Sequence, residues 1–413
     1  MNYPFEGLRV VDAASFLAGP GAATVLGDFG ADVIKVEPLG GDGYRTLSGG
    51  YVVDYHWQLT SRNKRSIALD IASPEGRDIV HRLVRDADVF LVNFFPHQLA
   101  RFGLRYEDLE AINPRLIYAH MSGYGSAGPE AERRAFDSTA WWARSGMADL
   151  VRDPGQPPVM GAPGFGDHSS AMALFGAVAM ALYTRERTGR GSQVASSLIA
   201  NGIWANGMQM QGAIAGFDLA ARRRKKGWLN PFTAVYGTAD ERHVVLGVTN
   251  PLKEWPHLCA AMGHPEWLQD PRFADHATIM RNRRALIDAI QAVTGAMSLE
   301  ELVAALDAND ITYGVVSYLD ELIDDPQLKA AGILVPTGSD DEYYPQTVAN
   351  PIRMDGAARR DAGPCPGVGE HSAEILAELG FAEQQVEALA QQGVVKLGGP
   401  QGRRPSVDPV AKS

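Results

Sequence analysis

Apolar residues in the first two hundred positions fall in short unbroken runs, each bounded by glycine, proline or a capping residue. Such runs predict strands buried on both faces, as in a parallel sheet. The expected strands are Leu8–Asp12, Asp32–Val36, Ser66–Ile71, Val89–Val92, Leu116–Ala119 and Gln193–Ser197. Helical spacing fills the gaps. Pro20 suits a first helical position, Ala22–Phe29 continues the helix and Gly30 suits its C-terminal cap. Ser73, Pro74 and Glu75 open a helix that runs to about Arg85. A long helix is expected from Asp167 to Thr188, and another from Ile199 to Gly212. Strands alternating with helices are βαβ units, so the fold class is α/β.

The pattern changes at Arg222–Pro231 (RRRKKGWLNP), which is basic and turn-rich and reads as a linker. Ala234–Tyr236 and His243–Val248 then predict paired strands. Helices follow at Lys253–Met262, Asn282–Thr294 and Leu299–Asn309, and Ile311–Val316 is a strand-like return. Beyond Gly332 the order is irregular until a helix pair, Ser372–Leu379 and Ala382–Gln392. The tail from Lys396 is expected to be mobile. The domain reading is therefore a large Rossmann-like domain from residues 1–205 and 333–413. Residues 206–226 form a linker, 227–325 a small α/β domain and 326–332 a return linker.

Length and composition narrow the function. The 413 residues are 45% apolar, which suits a globular chain, and the net charge of −11 argues against a nucleic-acid partner. Cys259 and Cys365 match no metal spacing and are expected to be free thiols in a reducing compartment. The ten histidines show no H-x-x-x-H spacing, so no metal is expected. The opening MNYPFEGLRVVD lacks the flank of a signal peptide, and the run Ala171–Tyr183 is too short to span a bilayer. A cytoplasmic protein with no membrane partner is expected.

The first βαβ unit half-matches a dinucleotide fingerprint. Gly19, Gly21 and Glu37 stand near the right places, but Thr24 occupies the third glycine position. No G-x-S-x-G elbow or P-loop is present; GGDG at residues 40–43 is an isolated glycine-rich piece. The stretch GFGDHSS, residues 164–170, is more informative. Asp167 suits a helix N-cap. The cap position does not exclude a nucleophile: a helix N-terminus favours an ionised carboxylate, and Gly164 and Gly166 let a ligand approach. A carboxylate can attack an activated acyl group.

Several stretches taken in order resemble the family III coenzyme A transferases, the CaiB/BaiF group that also includes α-methylacyl-CoA racemase. They are GLRVVDAASFLAGPGAATVLGDFGADVIKVEP, NKRSIALD, VNFFPHQLARFGL, NPRLIYAHMSGYG and GDHSSAMALFGAVAMALYTRERTGRGSQV. The resemblance covers the first two hundred residues and thins into TADERHVVLGV. It implies that Asp167 is the nucleophile and passes through aspartyl anhydride and aspartyl-CoA thioester intermediates. It implies an acyl-CoA and a carboxylic acid as substrates, and an interlaced homodimer. By motif position it assigns Leu17, Ala18, Lys64, Asn93, Phe94, Arg101 and Arg134 to coenzyme A. Phe136, Tyr124 and Gly166 fall at the acyl pocket. Arg222–Lys226 reads more readily as a solvated face than as a phosphate contact.

Two departures are informative. The racemase branch carries a histidine where this chain has Phe136, and phenylalanine moves no proton. The formyl-CoA transferase branch carries a glutamine where this chain has Leu17, and its tetraglycine loop is absent. With Trp141 and Trp142 nearby in sequence, an apolar acyl group is expected rather than oxalate. The alternatives are an acyl-CoA racemase or isomerase with Asp167 as base, and a noncatalytic CoA-binding protein.

Overall fold

The computed structural model describes residues 3–47, 53–217, 230–337 and 343–400. Contacts divide the chain into two units. One comprises residues 1–151, 158–216 and 327–413; the other comprises 152–157 and 217–326.

The larger unit is built on one seven-stranded sheet. Its first six strands in chain order are β1 (Arg9–Asp12), β2 (Asp32–Glu37), β3 (Lys64–Leu69), β4 (Val89–Val92), β5 (Ile117–Ser122) and β6 (Ser192–Ser197). They are parallel and lie in the order β3-β2-β1-β4-β5-β6, the doubly wound arrangement. A short strand, Val395–Lys396, runs antiparallel on the outer edge of β3. The helices of the first half are α1 (Ala18–Asp28), α2 (Tyr55–Ser61), α3 (Pro74–Arg85), α4 (Pro96–Phe102), α5 (Tyr106–Glu110) and α6 (Met147–Leu150). Next come α7 (Phe165–Thr188), α8 (Leu198–Ala205) and α9 (Gly207–Ile214).

Successive side chains in a strand point to opposite faces, and two cores result. Val10, Val33, Leu91 and Ile117 pack with Ala22 and Leu26 of α1 and with Leu174 and Val178 of α7. Their neighbours Val11, Ile34, Phe90 and Tyr118 pack with Ile79 and Leu83 of α3 and Leu99 of α4. Ile375, Leu376 and Val386, from the helices Ser372–Glu378 and Glu383–Gln391, complete that second core. Each such side chain, fully buried, contributes about 1.5–3 kcal/mol.

Several boundaries differ from the pattern-based expectation. β3 starts at Lys64 rather than Ser66, because its first two charges are paired: Lys64 with Asp12 at 2.9 Å and Arg65 with Asp32 at 2.6 Å. α1 begins two residues before Pro20. The helix expected over 199–212 is broken at Asn206, whose side-chain amide donates to the Ser145 carbonyl at 3.3 Å. Lys396 is not tail: it pairs with Ala68, and Gly398 N–H donates to the Gly369 carbonyl at 3.0 Å. Most of the basic run Arg222–Pro231, and residues 401–413, lie outside the described residues.

Within the larger unit, a buried clasp holds the returning chain to α1 and the start of β3. Asp28 receives Arg62 Nε at 3.0 Å and Nη2 at 2.8 Å, Asn63 Nδ2 at 3.1 Å and Asn350 Nδ2 at 2.9 Å. Four donors on one carboxylate offset the cost of burying it.

The smaller unit has an antiparallel sheet of Val235–Gly237, His243–Leu246 and Tyr313–Val315. Its core gathers Trp255, Leu258, Phe273, Leu286 and Leu306, with Cys259 buried among them. No single helix among the described residues is long and apolar enough to cross a membrane.

Candidate active site

In a doubly wound sheet the crevice lies at the carboxyl ends of the two strands where the order reverses, here β1 and β4. Asn93, just past β4, ties the two loops together. Its Oδ1 accepts the Ser15 N–H at 2.9 Å, and its Nδ2 donates to the Ser15 carbonyl at 2.9 Å. The loop it fixes, Ala13–Leu17, leads into α1.

α7 presents its N-terminus with Gly164 as cap residue, at φ 93°, a backbone setting that suits glycine. Gly164 has no side chain to cap with, and Asp137 does the work. One Asp137 oxygen accepts the N–H groups of Gly164 at 2.8 Å and Gly166 at 3.3 Å; the other accepts Ser138 N–H at 2.7 Å. Asp137 is buried and opens a π-helical segment, Asp137–Ala143. The expectation that Asp167 is the cap is therefore corrected: Asp167 is the third residue of the helix.

Asp167 is half-buried, and no described residue donates a hydrogen bond to its carboxylate. Burial and the negative charge of Asp137 push its pKa up to about 7. Desolvation is the larger cause, and the Gly164 and Gly166 amides are taken by Asp137. Such a group is half-ionised near neutrality and keeps its lone pairs for an incoming electrophile. Partial desolvation lowers the pKa of His168, although its side chain is exposed at the surface.

Gly166 leaves no room for a side chain. A β-carbon there would stand 2.6 Å from Trp141 Cβ and 2.8 Å from Asp137 Cβ. Leu17 Cδ1 lies 3.6 Å from where a Gly164 β-carbon would be, so Leu17 reaches the start of α7. Leu17 also packs with Tyr44, Trp57 and Cys365. Burial and the charges of Asp167 and Asp137 raise the Tyr44 pKa.

Behind these rings lies a chain of buried charges. Asp42 Oδ1 accepts the N–H groups of Phe16 at 3.2 Å and Tyr44 at 2.9 Å, while its Oδ2 lies 3.1 Å from Lys35 Nζ. Phe16 is held at φ 65°, a left-handed setting that costs about 1–3 kcal/mol for a non-glycine residue. Lys35 also donates to the Ala14 carbonyl.

The residues assigned to coenzyme A by motif position are spread over different settings. Lys64 is buried, its ammonium 2.9 Å from Asp12 and 2.7 Å from the Pro20 carbonyl. Ala18 is buried where α1 enters the core. Phe94 packs edge-on against Phe102 at 6.0 Å. Arg101, on α4, lies exposed over the Phe102 ring at 5.4 Å. Arg134 is exposed just before Phe136. Among the described residues neither arginine forms an ion pair. Tyr124 is half-buried beneath the Arg133 guanidinium. The structure thus brings Leu17, Phe136, Gly166 and Asp167 to one place, sets Asn93 at the strand crevice and leaves Lys64 and Ala18 inside. Among the described residues no group of three or more His, Cys, Asp or Glu is placed to hold a metal ion.

Sequence reasoning did not find Asp137, Phe16, Tyr44 or Asp42. The left-handed Phe16 has no local signature, and the Asp137 cap spans 27 residues.

Fold and site define a doubly wound α/β protein with an unengaged carboxylate at the start of a long helix. Residues 5–372 match CoA-transferase family III, and the chain belongs to that family. It is a CoA-transferase. It is 33% identical to succinyl-CoA–D-citramalate CoA-transferase of Chloroflexus aurantiacus, over 95% of this chain and 98% of that one. It is 29% identical to (R)-2-hydroxy-4-methylpentanoate CoA-transferase of Clostridioides difficile, over 95% and 99%. Among solved structures it is similar to a CaiB/BaiF family protein from Brucella suis, with TM-score 0.80 and 32% identity, over 92% and 100% of the two chains.

Proposed function

We propose that this enzyme moves coenzyme A from an acyl-CoA donor to a carboxylic acid through covalent intermediates on Asp167. The observation that carries the reading is the Asp167 carboxylate: no described residue bonds it, while Asp137 occupies the helix amides beside it. An Asp167 oxygen attacks the thioester carbonyl, forms an aspartyl–acyl anhydride and expels CoA thiolate. The thiolate attacks the Asp167 carbonyl of the anhydride, releases the donor acid as a carboxylate and leaves an aspartyl-CoA thioester. The acceptor carboxylate attacks that thioester and again frees the thiolate. The thiolate then takes the acceptor's acyl group and restores the Asp167 carboxylate. Every intermediate on Asp167 is an anhydride or a thioester, so one energy-rich acyl bond is conserved from donor to acceptor and no nucleotide is consumed.

Arg101 and Arg134 suit CoA phosphates, being exposed and without ion pairs among the described residues. Leu17, Asn93 and Phe94 line its path, and the buried Ala18 and Lys64 support that path from within, Lys64 by holding Asp12. Tyr124, Phe136 and Gly166 border the acyl group. The larger unit is the CoA-binding domain. The working form is a homodimer, supported by the exposed apolar side chains Met180 and Tyr183 on α7, Trp204 on α8 and Met208 on α9. The relatives' names span a succinyl donor and a branched 2-hydroxy acid, so they point to acyl-CoA and carboxylic-acid substrates without choosing the pair.

Trapping tests the reading. The protein is incubated with acyl-CoAs and quenched with hydroxylamine, and the peptide containing Asp167 is weighed. A hydroxamate on Asp167 is expected. Exchange of the α-hydrogen for deuterium with no adduct would replace this reading with isomerase chemistry.

A further inference from the structure

Three aromatic rings meet at the start of α7 from three separate segments. Phe16 and Phe136 stand edge to face, with centroids 5.5 Å apart and planes at 78°. Phe16 meets Tyr44 in the same manner, at 6.5 Å and 64°. Tyr44 is buried, but Phe136 is 54% exposed and Phe16 37% exposed. Phe16 and Phe136 thus touch each other yet leave much of their ring surface open to solvent near a half-buried carboxylate.

The arrangement is held deliberately in place. Phe16 keeps its left-handed backbone because one oxygen of buried Asp42 binds its N–H, and the same oxygen binds Tyr44 N–H. Asp42 is in turn anchored by Lys35. Phe136 directly precedes Asp137, which caps α7, and its own N–H donates to Thr139 Oγ1 at 2.9 Å. The two carboxylates behind the rings thus set the rings and the candidate nucleophile relative to each other.

The geometry points to an aryl-acyl subsite, built by Phe16, Tyr44 and Phe136, that selects donors whose acyl chain ends in an aromatic ring. This rests on the reading of Asp167 as the acylated residue. An aryl group beside Phe16 and Phe136 extends the edge-to-face stack already present and covers the exposed ring faces. A terminal carboxylate there would lie against uncharged rings and lose water without gaining a partner. A short alkyl chain would leave the ring faces wet.

The test measures acylation of the full-length enzyme by phenylpropanoyl-CoA, butanoyl-CoA and succinyl-CoA, read as Asp167 hydroxamate. The wild type is expected to favour phenylpropanoyl-CoA over each of the others by about tenfold or more in kcat/KM. Phe136→Ala should lower the phenylpropanoyl rate about tenfold more than the butanoyl rate. Phe136→Leu, which keeps apolar bulk without the ring, should also reduce the aryl preference. Hydroxamate formed most readily with succinyl- or butanoyl-CoA overturns the inference and leaves the Asp167 mechanism standing. So does an equal loss with all three donors in Phe136→Ala, or an undiminished aryl preference in Phe136→Leu. No hydroxamate with any donor overturns the mechanism and the inference together.

Discussion

Asp137 accepts the backbone N–H of Gly166 at 3.3 Å, one residue before Asp167, so one carboxylate caps the helix that carries the other. Asp137 anchors that helix end and raises the Asp167 pKa by its charge. Asp137→Ala should cost about 1–2 kcal/mol of stability, as loss of an N-cap does, read from denaturant unfolding. Asp137→Asn keeps an acceptor oxygen but removes the charge. The acid limb of its kcat/KM profile should move to lower pH than in the wild type.

The Asp167 pKa of about 7 makes two further predictions. If the ionised form is the nucleophile, kcat/KM should climb as pH rises through about 7. Stability should change in the opposite sense. The folded protein holds the proton above the usual carboxylate pKa, so stability falls as pH rises from about 4 towards 7. Asp167→Asn should therefore abolish transfer yet raise stability at pH 8 by about 1–3 kcal/mol, discounted for partial exposure. At pH 4, where both proteins are neutral at this site, the difference should vanish. Thermal melts at the two pH values check the sign.

Gly166→Ala should be poorly tolerated. The new methyl would meet the Trp141 ring carbon Cγ at 2.6 Å as well as Asp137. Overpacking of this kind costs about 1–3 kcal/mol, and displacing Asp137 also disturbs the helix end. A fall in both melting temperature and kcat is expected. Wild-type kcat in a folded Gly166→Ala protein would contradict this close packing.

Arg101→Ala and Arg134→Ala should each raise KM for acyl-CoA about five- to tenfold with little change in kcat, as loss of an exposed phosphate contact does. Dephospho-CoA thioesters, which lack the 3′-phosphate, should show a smaller effect in whichever variant touched that phosphate. Steady-state kinetics with both thioester forms separate the two arginines.

Legibility followed distance along the chain. Val89–Val92 was readable residue for residue because a run buried on both faces needs no polar partner. Ser73 and Pro74 marked the start of α3 by local capping, and Ser73 Oγ indeed accepts Gly76 N–H at 3.0 Å. Lys64 and Arg65 hid the start of β3, since only the distant Asp12 and Asp32 make those charges acceptable in a sheet. The helix α7 was readable from its apolar stretch, but its cap was not: Asp137 reaches it through the fold. In the same way Phe16 looks ordinary in SFLAGP, and its strained backbone becomes explicable only when Asp42 is seen beneath it.

The clasp at Asp28 also imposes an order on synthesis. Asn350 emerges from the ribosome 322 residues after the carboxylate it binds. The strand that covers the outer edge of β3, Val395–Lys396, emerges later still. Until then a nascent chain carries a parallel sheet with an open flank, a surface that invites pairing with a neighbouring chain. The final segment thus works as a closing stitch, and a transcript truncated shortly before residue 395 leaves that flank unsealed.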